Sequence, residues 1–178
     1  MVIHWPLDRD SLNPFPMFVY IARHAWAGER GDPRWPDDSL RPLTPEGIDR
    51  YDQVVTALAS RGFAPVRIAT SPYVRCRETA EIVAKRVAGN PPIVELEDLE
   101  PVSYLEPVID WTNEQGGVDV CWVGHSPDVE QFTAALIGDT SARIRFAKGA
   151  VAAIEFDEEV FVGGGELYWL ASAKLLGI

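Results

Sequence analysis

The chain has 178 residues, of which 47% are apolar, and this is enough material for one ordinary domain with a sizeable core. Its 27 acidic and 16 basic residues give a net charge of −11, which repels polyanions, so we expect neither a nucleic-acid partner nor binding to an anionic membrane. The first residues lack the pattern of a secretion signal, and no stretch nears the roughly 18 apolar residues of a membrane span. Cys76 and Cys121 have the spacing of neither a zinc site nor a redox pair, so reduced thiols in a cytoplasmic protein are expected.

The first predicted elements in chain order are an irregular arm and a buried strand. Residues 1–16 contain three prolines and show no hydrophobic period, which is typical of an arm that lies on the surface. The apolar run over 17–22 has the composition of a strand that is covered on both faces. Residues 24–43 then lack any periodicity, and a loop of that length is often functional.

Helices and strands alternate through the middle of the chain. Thr44 can cap a helix that begins at Pro45 and ends by Gly62, because apolar residues recur on one face between them. The elements that follow are a strand over 66–71, a helix from residue 72, a short strand over 92–96, a helix over 102–114, a strand over 118–124 and a helix that stops at Gly138.

The end of the chain differs in kind. Two strands over 149–157 and 165–172 flank a glycine-containing connection, which is typical of an antiparallel hairpin. The alternation before them favours a mostly parallel central sheet with helices on both faces and right-handed crossovers. The predicted fold class is therefore α/β, with the antiparallel C-terminal hairpin at the edge of the sheet and residues 17–178 forming one domain.

Polar residues follow three of the predicted strands directly. Ligands of open α/β sheets bind at the carboxyl ends of the strands, so these positions are candidate site residues. They are Arg23 and His24 after the first strand, Ser71 and Arg75 after the second, and His125 and Ser126 after the fourth. A helix N-terminus follows His125 and favours an anion, and guanidinium groups donate charge-assisted hydrogen bonds of about 1.5 to 3 kcal/mol each to phosphate oxygens. The cluster predicts a site for a phosphoryl group.

The same cluster supplies a candidate nucleophile. Cations disfavour protonation of a nearby imidazole and lower its pKa from about 6.5, which leaves a neutral ring nitrogen at neutral pH. One of the two histidines can then attack phosphorus. Taken singly, each signal has a plainer interpretation, since a histidine at a strand end often only caps a helix and a helix arginine is most often a surface cation. Their coincidence at three strand ends favours the site.

Four segments resemble the successive motifs of the histidine phosphatase superfamily, which has the phosphoglycerate-mutase-like fold. They are RHA at 23–25, RPLTPEG at 41–47, TSPYVRCRETA at 70–80 and VGHSP at 123–127. Their order and compactness most resemble the small SixA-type phosphohistidine phosphatases, and also the phosphatase domain fused to some Nudix hydrolases. The resemblance spans about residues 18–156.

This resemblance implies a two-step phosphoryl transfer without a metal or other cofactor. His24 attacks phosphorus in line to form a phosphohistidine, and water then releases inorganic phosphate. Arg23, Arg75 and His125 form the pocket that neutralises charge on the equatorial oxygens. Arg30 lies where relatives often carry a further phosphate contact, although a solvated loop cation is the plainer interpretation.

The chain departs from the family pattern at the general acid. Many relatives carry a glutamate two residues after a leucine beyond the third strand, and this chain has Pro101 there. Glu100 is adjacent and is the candidate acid, with Glu106 a little further on, although a surface carboxylate is at least as plain an interpretation. A missing acid matters less for a good leaving group, such as that of phosphohistidine or a phosphoanhydride.

The segment that follows the third strand is short, so we expect an open pocket that admits a phosphorylated protein side chain or a small phosphorylated molecule. The sequence thus predicts a metal-independent phosphatase that acts through His24 on phosphohistidine proteins or on small phosphate esters and anhydrides. Pro101 motivates the alternative, a catalytically weak phosphate-binding regulatory module.

Overall fold

The computed structural model describes residues 16–178, which form six strands and four α-helices. The strands are β1 Met17–Arg23, β2 Arg67–Thr70, β3 Ile93–Glu95, β4 Val120–Gly124, β5 Val151–Phe156 and β6 Glu166–Ala171. The helices are α1 Pro45–Ala59, α2 Val74–Arg86, α3 Leu105–Asn113 and α4 Asp128–Leu136. The arm predicted over 1–16 lies, apart from its last residue, outside the described residues. None of the helices within 16–178 is long and apolar enough to cross a bilayer.

One mixed sheet has the strand order β3-β2-β4-β1-β5-β6. The first four of these strands pair in parallel, whereas β5 runs antiparallel to β1 and β6 antiparallel to β5. This arrangement confirms the predicted fold class, including the antiparallel hairpin at the sheet edge. In the β1–β4 register, Arg23 stands opposite Gly124, so both strands end at the same level and present their next residues side by side.

Two apolar clusters lie on opposite faces of the sheet. Successive residues of β1 point to opposite faces, as they must in a strand, and Tyr20 joins the cluster of α1 and α2 while Val19 joins that of α3 and α4. Because both faces of the central strands are covered, β4 is buried along its whole length, which explains its continuous apolar sequence.

The boundaries of α1 follow the predicted signals. The Thr44 hydroxyl accepts a hydrogen bond from Gly47 N at 3.0 Å, and Pro45 occupies the first helical position. The helix predicted over 102–114 instead begins at Leu105. Val102 has a φ of 71°, in the left-handed region, and therefore cannot belong to the first turn of a right-handed helix.

Candidate functional site

The parallel register of β1 and β4 brings His24 and His125 together. His24 N donates to Gly124 O at 3.0 Å, which continues the ladder one residue beyond the strands. The two imidazole centroids are 5.4 Å apart, with the ring planes at 61°. Both side chains are buried, so their chemistry depends on protein neighbours more than on solvent.

The His24 ring is held in one orientation and is electrically neutral. Its Nδ1 lies 2.7 Å from the carbonyl oxygen of Ala25, so Nδ1 carries the hydrogen and donates it. Burial holds the pKa of His24 well below its ordinary value of 6.5; the Ala25 carbonyl acts against this, while His125, Arg75 and Arg23 lower the pKa further. Nε2 therefore has a free lone pair at neutral pH, as a nucleophile requires.

Arg75, in the first turn of α2, is fixed by protein acceptors on two of its three nitrogens. Nη1 donates to the main-chain oxygen of Asp38 at 2.8 Å, and Nη2 lies 3.2 Å from the Asp38 carboxylate. Nη2 is also 3.2 Å from Nδ1 of His125. The guanidinium carbon lies 4.8 Å from the centroid of the Tyr73 ring. Together these contacts hold the planar guanidinium of Arg75 in one orientation.

His125 is neutral and has protein partners on both ring nitrogens. Because Nδ1 accepts from Arg75, Nε2 carries the hydrogen and donates to Ser71 Oγ at 2.9 Å. The thiol of Cys76 is 3.5 Å from the same nitrogen. Burial lowers the pKa of His125 to about 3, and the charge of Arg75 adds to this effect.

Arg23 and Arg75 each have one buried N–H group that lacks an acceptor among the described residues. Arg23 Nη1 donates to the carbonyl oxygen of Phe146 at 2.8 Å. Among residues 16–178, the Nε groups of Arg23 and Arg75 are buried and have no hydrogen-bond partner. Buried N–H groups of native proteins nearly always have an acceptor, so these two donors indicate a place for oxygen atoms of a ligand.

The other predicted site residues, Arg30, Glu100 and Ser126, make no hydrogen bond or ion pair with the cluster of His24, His125, Arg23 and Arg75 in the described part of the chain. Arg30 is exposed, and its charge acts on the carboxylate of Asp38. Within the described part of the chain, no hydrogen bond or ion pair joins Glu100 to the two histidines or two arginines. Ser126 is exposed and donates to Glu130 at 2.8 Å.

Asp38 and Arg41 are site residues that the sequence analysis missed. The Asp38 carboxylate accepts from Arg41 Nε at 2.9 Å and also pairs with Arg75. The hydrogen bond from Arg41 lowers the pKa of Asp38, burial opposes this, and the charges of Arg75 and Arg41 lower it further. The loop that carries Asp38 has no period, but the arginine of RPLTPEG was a signal that could have been followed.

Comparisons with known proteins agree with this geometry. The model of the histidine phosphatase superfamily (branch 1) matches residues 19–106. An uncharacterized protein from Picosynechococcus sp. is 32% identical over 139 residues, which cover 76% of this chain and 82% of the relative. Phosphohistidine phosphatase SixA of Escherichia coli is 28% identical over 160 residues, which cover 88% of this chain and 94% of the relative.

Solved structures share the fold over nearly the whole described chain. The structure of the protein histidine phosphatase SixA complexed with tungstate has a TM-score of 0.77 and 27% identity, and the match covers 90% of this chain and 99% of that one. The alpha-ribazole phosphatase from Shigella flexneri has a TM-score of 0.61 and 16% identity over 88% and 97% of the two chains, a likeness of fold. With its motifs, its sheet and these relatives in agreement, the chain belongs to the histidine phosphatase superfamily and is a phosphatase.

Proposed function

We propose that the protein is a metal-independent phosphatase that forms a phosphohistidine on His24, and that residues 17–178 make up its single domain. One observation carries the proposal: the neutral nitrogen of His24 lies in a cluster with two arginines whose buried Nε donors have no protein acceptor. A phosphoryl group supplies both an electrophile for the nitrogen and oxygen acceptors for the donors.

The His24 ring is prepared for the first step. Its Nε2 lone pair attacks phosphorus, and the ring becomes cationic as the P–N bond forms. The carbonyl oxygen of Ala25, 2.7 Å from Nδ1, accepts a stronger hydrogen bond from the charged ring and so stabilises the intermediate relative to the free enzyme. Water attacks the phosphohistidine in the second step, and inorganic phosphate leaves with the ring again neutral.

Arg23, Arg75 and His125 stabilise the transferred group. The two guanidiniums are held from outside by Phe146 and Asp38, so they meet the phosphoryl oxygens without reorganising. His125 lies beside them and contributes its Nε2 hydrogen when its contact with Ser71 is exchanged for a phosphoryl oxygen. Arg30, being exposed, contributes only long-range charge.

Phosphohistidine on a protein is the first candidate substrate, followed by small phosphate esters and anhydrides. The Escherichia coli relative named for this activity matches 88% of the chain. The imidazole of phosphohistidine is a good leaving group, which suits a site where, among residues 16–178, Glu100 has no hydrogen bond or ion pair with the two histidines or two arginines. Both cysteines are free and buried, as in a protein of the reducing cytoplasm, where such substrates would be met.

The proposal is tested by phosphate release and by trapping of the intermediate. Wild-type protein should release phosphate from p-nitrophenyl phosphate and from a phosphohistidine peptide, and acid-labile ³²P should map to His24 after brief incubation. His24→Ala should lose both, with an unchanged circular dichroism spectrum, while Arg34→Ala, an exposed arginine of the first loop, should keep both. Tight phosphate binding without turnover or label would instead support the regulatory module.

A further inference from the structure

Glu130 is an acidic side chain beside the cluster that the proposed chemistry does not yet use. It lies in the first turn of α4, five residues after His125. Its Oε1 accepts a hydrogen bond from Ser126 Oγ at 2.8 Å. Its Oε2 is buried and has no partner, and it is the one carboxylate oxygen in that condition among residues 16–178. A buried carboxylate oxygen without a donor is costly, so an unpartnered one five residues after His125 indicates a role.

The charge of Glu130 reaches the phosphoryl pocket. Burial lowers the pKa of Arg23, and the negative charge of Glu130 acts against that effect. Arg23 in turn acts on the ring of His24. Glu130 lies in the first turn of α4, the helix that follows β4 and His125, so it is at the same end of the sheet as the two histidines, and its charge acts on Arg23 whereas Asp38 pairs with Arg75.

Among the described residues, the other acidic groups near this end of the sheet either have partners already or make no hydrogen bond or ion pair with the two histidines and two arginines. The two oxygens of Asp38 bind Arg41 and Arg75. An oxygen of Asp128 accepts from the main-chain nitrogen of Val102 at 3.1 Å. Glu100 has no hydrogen bond or ion pair with the cluster in the described chain. This leaves Glu130 as the carboxyl group that combines an anchored oxygen with a buried one able to carry a proton.

We propose that Glu130 protonates the leaving group, the part that sequence patterns assign to the segment around Glu100. The inference rests on the proposed function of His24. As His24 Nε2 forms the P–N bond, the bond from phosphorus to the leaving oxygen breaks, and the proton on Glu130 Oε2 passes to that oxygen, which departs as an alcohol. The carboxylate then takes a proton from the water that attacks the phosphohistidine, so that phosphate, neutral His24 and protonated Glu130 are restored.

The contact with Ser126 decides which oxygen of Glu130 can carry the proton. Ser126, which donates to Oε1, keeps Oε2 as the oxygen that carries the proton.

The test varies the leaving group. For Glu130→Gln, which keeps the size and the contact with Ser126, kcat/KM should fall roughly 100-fold on alkyl phosphates, in the usual range for a general acid. On a phosphohistidine peptide or 2,4-dinitrophenyl phosphate, whose leaving groups need little protonation, the fall should be about 3-fold or less. Because kcat/KM reports steps up to formation of the phosphohistidine, slow release of phosphate does not mask the effect.

Two further variants give controls. Glu100→Gln should leave the dependence of kcat/KM on the pKa of the leaving group unchanged. Ser126→Ala should make this dependence steeper, as Glu130→Gln does but to a smaller extent, since it removes only the hydrogen bond that holds Glu130 Oε1. The inference is overturned if a folded Glu130→Gln protein loses activity equally on all substrates or loses none. It is also overturned if the wild type cannot cleave alkyl phosphates. If the wild type still forms labelled His24, only the role of Glu130 is lost, whereas a wild type that forms no labelled His24 overturns the proposed function as well.

Discussion

Arg75→Lys keeps the positive charge of a cluster arginine and removes its planar fork. In the native protein one nitrogen binds the Asp38 carbonyl, the second lies between the Asp38 carboxylate and His125, and the third is the unpartnered Nε. A lysine ammonium cannot hold the first two contacts and also present a donor in the direction of Nε. We therefore expect a loss of activity that exceeds the loss of stability.

The contacts set the magnitude. A hydrogen bond to a charged phosphoryl oxygen contributes about 1.5 to 3 kcal/mol, so its loss lowers kcat/KM by roughly 10- to 150-fold. The side chain of Asp38 is 39% exposed, which weakens its ion pair with Arg75, so the loss of stability should be about 1 to 2 kcal/mol. For a chain of this length that corresponds to a fall in Tm of about 2 to 8 °C.

Arg77→Lys is the matched control, because Arg77 lies on the same helix and forms a surface ion pair with Glu95 at 3.5 Å. Steady-state kinetics on p-nitrophenyl phosphate and thermal unfolding of both variants complete the comparison. If Arg75→Lys, folded and assayed below its Tm, keeps the kcat/KM of Arg77→Lys, the Nε of Arg75 does not bind a phosphoryl oxygen in the transition state.

Three further outcomes follow from particular contacts. His24 and His125 have lowered pKa values in the folded protein, so below pH 6.5 the unfolded chain binds more protons and the free energy of unfolding should fall from pH 7 to 5. The loss from His125 is about 2 kcal/mol. Urea unfolding at both pH values should therefore show a smaller loss of stability in His125→Gln than in the wild type. Gly47→Ala should cost about 1 to 3 kcal/mol, because a Cβ there meets Trp26 O at 2.2 Å; an unchanged Tm would contradict this. Val102→Asn should gain about 1 kcal/mol in urea unfolding, since Val102 is 81% exposed and has a left-handed φ that asparagine tolerates; a loss would show that the valine side chain has a partner.

Local signals were sufficient for most of the secondary structure. The Thr44 cap, the proline at the first helical position and the fully apolar sequence of β4 each describe a segment that its own residues determine. The start of α3 shows the limit of such signals. Val102 favours neither a turn nor a left-handed conformation, yet its main-chain nitrogen is held by Asp128, a residue 26 positions away. A contact of that separation overrides local preference and has no trace in the segment itself.

The rule that ligands lie at the carboxyl ends of parallel strands explains why the sequence could place His24 and His125 close together. Each histidine directly follows a strand, and parallel pairing of the strands then decides that the two meet. The same reasoning predicted Arg75, since it lies in the turn of helix that follows β2. Arg23, His24, Arg75 and His125 are spread over about a hundred positions of the chain, but they all follow or end one of three strands, so recognising those three strand ends was enough to predict them.

Asp38 and Glu130 escaped that reasoning for two different physical reasons. Asp38 belongs to an aperiodic loop, whose path is set by the tertiary contacts of Arg41 and Arg75, so its position could be known only once those partners were placed. Glu130 lies on a regular helix, but it looks like any charged residue of a solvated face until the burial of one oxygen is seen. In the proposed mechanism the motif residues hold the phosphoryl group, whereas Asp38 pairs with Arg75 and the charge of Glu130 acts on Arg23. Differences between phosphatases that share the motifs should therefore be sought first in the acids around the pocket, where a change alters the leaving group that is accepted and leaves the nucleophile in place.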